Sequence, residues 1–242
     1  QVGRFLDFDG NNPAVICNNL DWTEKLDVVS FLRDIGKHFS VNGMIQRESV
    51  KARLDREGQG ISYTEFSYML LQAMDFLELA RREDCLIQIG GSDQWGNIVS
   101  GIDLVRRHLG KEAFALTMPL VTKSDGTKFG KSASGAIWLD AQKTSPYSFY
   151  QFWLNTADAD VEPFLKLFTF LTEEEVAALA RETQDHPELR EGQRRLAREV
   201  TQLVHGEEAL KSVERISECL FAGEVAGLQE ADLAQLQQDG LS

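Results

Sequence analysis

The chain has 242 residues, 43% of them apolar, which is enough for one large domain or two smaller ones with true cores. No apolar run reaches the ~18 residues that a membrane span needs, so no membrane role is expected. A net charge of −13 argues against broad adhesion to DNA and leaves room for a local basic patch on RNA.

The opening, QVGRFLDFDGNN, has no initiator Met, no basic n-region and no apolar h-region, and reads as the interior of a longer chain. Residues 1–60 read as helices joined by short loops, with Asp27 as a cap before VVSFLRDIGKHF. The polar run DREGQG (55–60) breaks that pattern. A long helix is predicted after it, started by Ser62 with Glu65 three residues on. CLIQIGG (85–91) reads as a short buried strand, NIVSGIDLVRRH (97–108) as the helix after it, and FALTMPLV (114–121) as a second strand. This alternation predicts part of a parallel α/β sheet. From Ser145 the character changes: Ser145-Pro146 opens a helix, and Thr172 with Glu175 forms a second capping box. Helical periodicity over 146–155, 161–169, 173–183, 187–204, 207–221 and 230–238 predicts a separate all-α domain from 146 to 242. The cysteines, Cys17, Cys85 and Cys219, give neither metal-ligand spacing nor a disulfide framework, which fits a reducing cytoplasm.

Three stretches carry residues suited to chemistry. On the long helix, Tyr68, Gln72 and Asp75 stand at i, i+4 and i+7, within a ~60° arc. A phenol, an amide and a carboxylate on one narrow stripe suit a small zwitterionic or hydroxylated ligand. The same spacing also fits a solvent-facing stripe. Next, QIGGSDQWGNI (88–98) ends a strand in Gly90-Gly91 and turns into a helix, the place where open α/β sheets bind ligands. There Asp93 could accept from ribose hydroxyls, with Gln88 and Gln94 as neutral partners; Asp93 as a plain helix N-cap fits equally. It is not the dinucleotide fingerprint.

The third stretch, GTKFGKS (126–132), is one residue short of a phosphate-binding P-loop, with Asp125 where the first glycine should stand. A P-loop runs directly into a helix, and ASGAIWLD is a poor helix start. A P-loop kinase would require a helix over 132–142. The alternative is a loop that carries Lys128 and Lys131 three apart, able to close over a triphosphate. A plain solvated loop fits the motif taken alone.

In this order the three stretches resemble bacterial-type tyrosyl-tRNA synthetase, a class I aminoacyl-tRNA synthetase, and LRDIGKHFSVN and TSPYSFYQFWLNT strengthen the likeness. The related tryptophanyl enzymes share the GxDQ turn without the Tyr…Gln…Asp helix. The fold implied is α/β: a partial Rossmann-like nucleotide-binding parallel sheet with a helical insertion, followed by an all-α domain. Residues 1–60 would be the helical connective and dimer-interface region, 61–145 the latter half of the catalytic domain, and 146–242 the helical, anticodon-side domain.

The resemblance also implies roles. Asp75 would accept from the phenol of substrate tyrosine, Tyr68 and Gln72 would hold its α-amino group, Gln94 would lie near its carboxylate, and Gln88 would support the pocket. Gly91 and Asp93 would hold the ribose of ATP, Leu120 and Val121 would pack by the adenine, and Lys128, Lys131 and Ser132 would engage the pyrophosphate. The implied substrates are tyrosine, ATP with Mg2+ and tRNA(Tyr), with no tightly bound cofactor and no metal site in the protein. Catalysis would rest on positioning and charge stabilisation. The family's H-x-G-H signature is absent, and His38, His108, His186 and His205 are scattered. The chain is therefore expected to be the middle of a synthetase, catalytically incomplete alone, with the first nucleotide-binding half and a C-terminal RNA-binding domain outside it. FLRDIGKHF and Tyr63 are the expected homodimer contact, and internal packing of the same helices is the alternative. Arg190, Arg194 and Arg198, with Arg195 beside them, form a stripe that suits tRNA phosphate. Glu191 and Glu199 make a salt-bridged face the better reading. A non-catalytic synthetase-like module that dimerises or binds RNA is the competing function.

Overall fold

The computed structural model describes residues 1–54, 60–127, 129–132, 135–223 and 225–240. The chain forms two compact units: Val15–Leu120, and Gln1–Ala14 together with Val121–Ser242. The fold class is the expected one, a mostly helical α/β chain with a parallel sheet and an all-helical part after it.

The unit Val15–Leu120 opens with short helical pieces, α1 (Leu20–Thr23), α2 (Val28–Ser30), α3 (Val41–Ile45) and α4 (Glu48–Leu54). Asp27 caps as expected, its carboxylate accepting from Ser30 N–H at 3.0 Å. The segment after it is not one helix. It widens to a π-helical turn over Phe31–Ile35 and tightens to a 3-10 turn over Gly36–His38, burying Ile35. The breaker run falls on residues 55–59, which lie outside the described residues.

The main helix, α5 (Tyr63–Arg82), starts at a true capping box, Ser62 and Glu65 each bonding the other's backbone N–H. Its inner face packs on α6 (Trp95–Leu109) through Ala73, Phe76, Leu77 and Ala80 against Ile98, Leu104 and Val105. Gly101 makes that approach possible, because a Cβ there would stand 2.8 Å from the Phe76 ring. Truncating the fully buried Phe76 to Ala would cost about 3–5 kcal/mol. α6 ends at Gly110, whose φ of 64° is the left-handed geometry of a glycine stop.

Strands β1 (Ile87–Gly91) and β2 (Phe114–Met118) run parallel, Ile87 opposite Phe114 and Gly91 opposite Met118. Pro119 lacks an N–H, and β2 stops before it rather than reaching residue 121. One face of this pair covers α6. The other presents Ile87, Ile89, Phe114, Leu116 and Met118, all more than half exposed, so β1 is not the buried strand its sequence suggested. A parallel strand with an apolar residue at nearly every position reads as covered on both sides; here the covering is one-sided.

Among the described residues the second unit carries a two-residue antiparallel pair, β3 (Lys131–Ser132) with β4 (Gly135–Ala136), and six α-helices. These are α7 (Pro146–Leu154), α8 (Asp158–Phe168), α9 (Glu173–Asp185), α10 (Glu191–His205), α11 (Glu207–Ala222) and α12 (Glu230–Gln238). Ser145 caps α7 with Pro146 at the first helical position, and Thr172 and Glu175 close the capping box of α9. α10 is central, touching α7, α8, α9 and α11 around a core of Phe149, Trp153, Phe164, Leu165, Leu196 and Val213. The span 187–204 is not continuous: a 3-10 turn at Pro187–Leu189 and a left-handed Arg190 (φ 53°) precede α10. Among the described residues no helix is long and apolar enough to cross a membrane.

Candidate functional site

Tyr68, Gln72 and Asp75 project from one side of α5, in the unit Val15–Leu120. Tyr68 is 56% exposed, whereas Gln72 and Asp75 are half-buried and bonded from other elements, so the stripe is not a bare solvent face. Trp22 Nε1 donates to Asp75 Oδ1 at 2.8 Å and Asn19 Nδ2 donates to Oδ2 at 3.0 Å. A carboxylate offers about four acceptor positions. Two remain after these bonds, enough to receive a phenolic O–H.

The strand-to-helix turn lies in the same unit. β1 ends in Gly90-Gly91 and passes through a 3-10 turn, Ser92–Gln94, into α6. Gly91 is closely approached: an added Cβ would stand 2.6 Å from Asp93 Oδ1 and 2.8 Å from Leu120 Cδ2, and those two side-chain ends would have to shift. Gly91, Asp93 and Leu120, expected from the sequence to serve ATP, thus lie together at this turn. Asp93 does not cap α6; its Oδ2 accepts from Gln94 Nε2 at 3.0 Å. A cleft of about 520 Å3 is lined by Tyr68, Asp93, Gln94 and Asn97, with Arg53 paired to Glu65 among its walls. Gln72 joins this group through Asn97, whose Nδ2 donates to Gln72 Oε1 at 3.0 Å and to Gln94 Oε1 at 3.3 Å. Gln88 sits on the inner side of β1 with a buried Oε1 that has no partner among the described residues, an acceptor available to an N–H donor.

Val121 and the lysine-bearing loop belong to the other unit. Lys128 lies outside the described residues, and Lys131 and Ser132 are placed by their backbone, in β3. The loop is anchored at two points. Upstream, Ser124 N–H donates at 2.7 Å to Oδ1 of Asp160, a buried carboxylate in the first turn of α8. Between the lysines, Phe129 packs among Phe152, Trp153, Phe164 and Phe168, with ring centroids 5.0–5.8 Å away. Gly126 (φ 79°) and Gly130 (φ 83°) supply the left-handed turns on either side of this anchor. Asp125 accepts from the hydroxyl (2.6 Å) and N–H (2.8 Å) of Thr127, which hold its carboxyl below the usual carboxylate range. Among the described residues 131–142 there is a short antiparallel pair and then a turn, with no helix, which rules out the P-loop kinase reading.

The arginine stripe is paired. Arg190 donates to the carbonyl of Leu154 at the end of α7 (2.5 Å), and Arg194, Arg195 and Arg198 pair with Glu191, Glu199 and Glu214. The salt-bridged reading holds.

Sequence reasoning missed Asn19, Trp22 and Asn97. Asn97 opens the predicted helix three residues after Gln94, and its amide at a turn already rich in polar groups could have flagged it. Nothing local singles out Asn19 or Trp22.

The family model described as tRNA synthetases class I (W and Y) matches residues 1–222. The chain is 62% identical over all 242 residues to a tyrosine--tRNA ligase of Aliivibrio fischeri (strain MJ11), and 60% identical over 242 residues to one of Escherichia coli O139:H28. It covers 57% of the length of each. A C-terminally truncated Aspergillus nidulans mitochondrial tyrosyl-tRNA synthetase superposes with a TM-score of 0.68 at 35% identity, over 84% of this chain and 57% of that one. With the turn, the α5 stripe and the anchored lysine loop in the same chain order as the sequence motifs, these matches settle the family: the chain belongs to the class I tRNA synthetases designated W and Y.

Proposed function

We propose that the chain serves tyrosine–tRNA ligation: ATP-dependent activation of tyrosine to tyrosyl-adenylate, then transfer of the tyrosyl group to tRNA(Tyr). The observation that carries the choice of tyrosine is Asp75, a half-buried carboxylate on α5 held by Trp22 and Asn19 with acceptor positions to spare. Gln72 and Tyr68 lie about one and two turns toward the start of α5 and would hold the ammonium, with Gln94 near the carboxylate and Gln88 as pocket support. Gly91 and Asp93 would seat the ribose, with Leu120 and Val121 at the adenine.

In the first step the tyrosine carboxylate attacks the α-phosphorus of ATP, supplied as its magnesium complex, and pyrophosphate leaves. Lys128, Lys131 and Ser132 would meet the charge that develops on the leaving group. In the second step a hydroxyl of the terminal tRNA ribose attacks the acyl carbon and AMP leaves. No side chain need act as nucleophile. H-x-G-H is not among the 242 residues, so ligand binding rather than turnover is the property expected of them alone. The free cysteines fit a cytoplasmic setting. A second copy of the chain is the expected partner of the 1–63 region, where Val28, Val29, Leu32 and Tyr63 are exposed. A single-copy mass in sedimentation would refute that pairing.

Tyrosine-dependent exchange of pyrophosphate into ATP, run on the protein that contains these residues, tests the reaction. Exchange with tyrosine and none without it is expected; no exchange under any amino acid would refute it.

A further inference from the structure

We propose that Asn97 is a positioning residue that sets the amide orientation of Gln72 and Gln94 together. It would thereby fix where the ammonium of the amino-acid substrate binds. The proposal rests on the functional reading above and extends it to a residue that touches no reacting atom.

An amide side chain can turn by about 180° and exchange its donor for its acceptor, so a glutamine beside a ligand is useful only if something fixes it. Asn97 Nδ2 carries two N–H groups, and both are used: one reaches Gln72 Oε1 at 3.0 Å, the other Gln94 Oε1 at 3.3 Å. Gln94 is fixed at its other end as well, since its Nε2 donates to Asp93 Oδ2 at 3.0 Å. The chain Gln72–Asn97–Gln94–Asp93 therefore runs from the α5 stripe to the turn after β1, with one donor meeting one acceptor at each step. A carbonyl oxygen has two lone pairs. Asn97 takes one on Gln72 Oε1 and leaves the second, already directed, for an ammonium N–H.

The scaffold makes the bridge specific to this position. Gly101, one turn further along α6, lets the two helices close on Phe76 and brings the first turn of α6 against the middle of α5. Asn97 shares the cleft wall with Tyr68 and Gln94. Aspartate at this position would be isosteric and acceptor-only, so both glutamines would have to turn their NH2 groups inward and Gln72 would lose its directed lone pair.

The test compares L-tyrosine with 3-(4-hydroxyphenyl)propanoate, which keeps the phenol and carboxylate and lacks the ammonium, by calorimetric titration of the protein and its Asn97→Ala and Asn97→Asp variants. The unsubstituted protein is expected to prefer L-tyrosine. In both variants that preference falls about tenfold, with a smaller loss for the propanoate through Gln94, which lies near the carboxylate. Equal losses for the two ligands, or no loss for either, would overturn the proposal and leave the functional reading intact. Asn97→Asp keeps the comparison available if the alanine variant does not fold. Absence of L-tyrosine binding by the unsubstituted protein would overturn the functional reading, and the role of Asn97 with it.

Discussion

Trp22 donates its indole N–H to Asp75 at 2.8 Å across 53 residues of sequence, and the contact turns a helix-surface carboxylate into a fixed acceptor. Replacing Trp22 with Phe should leave α5 in place and loosen Asp75. Tyrosine affinity is expected to fall about tenfold, and Asp75→Ala should bring tyrosine and phenylalanine to near-equal affinity, because no acceptor then rewards the phenol. Competitive titration of the two amino acids reads both effects. A Trp22→Phe variant with unchanged discrimination would separate Trp22 from ligand choice.

The lysine loop yields a second expectation. Lys131→Ala in the protein should slow tyrosine-dependent pyrophosphate exchange about a hundredfold and leave tyrosine affinity unchanged, since the charge it would meet develops only as pyrophosphate departs. Phe129→Ala keeps both lysines yet removes the anchor among Phe152, Trp153, Phe164 and Phe168, so exchange should slow there as well. A Phe129→Ala variant with full exchange activity would show that the anchor is not needed.

The local features of this fold were legible in the sequence because their partners are three or four residues apart. The caps at Asp27, Ser62, Ser145 and Thr172 form as their residue types dictate. The Tyr68, Gln72 and Asp75 spacing needs only helical geometry. What was not legible depends on distance. Asn19 and Trp22 meet Asp75 only after a short helix folds back on α5, and no pattern within CNNLDW announces it. The break at Arg190 is similar: the span 187–204 reads as one helix, while the Arg190 backbone turns left-handed and its guanidinium donates to the Leu154 carbonyl at the end of α7, a partner 36 residues away.

His205 gives a pH prediction. It is packed edge-on to Phe149, both ring nitrogens are buried without partners among the described residues, and burial, with Arg4 nearby, lowers its pKa from 6.5 to about 4. The unfolded chain therefore takes up this proton first. The stability it protects is fully present above pH 6.5 and is lost as pH falls toward about 4, by up to about 3 kcal/mol. His205→Phe should flatten that slope. Urea melts at roughly pH 7 and pH 5 compare the two proteins; parallel pH dependence would contradict the assignment.

The last helix, α12, lies past the residues matched by the family model and is held by a buried carboxylate. Asp232 is fully buried, accepts from Arg215, Ser212 and Gln229 N–H, and is lowered by Arg215 first of all, to a pKa of about 2. Its contribution is present above pH 3.8 and lost as pH falls through about 2. Asp232→Asn should cost about 2 kcal/mol, and the backbone amides of 230–238 should exchange with solvent first. Uniform loss of protection across α10 and α12 would instead show that α12 is not a separate unit of stability.

The central claim is that α5 selects tyrosine within a family that also holds tryptophan enzymes. Calorimetric titration of the protein with L-tyrosine and L-tryptophan tests it most directly. Tyrosine should bind, tryptophan should not compete, and Asp75→Ala should abolish the difference. Tryptophan binding as tightly as tyrosine to the unsubstituted protein would contradict the account.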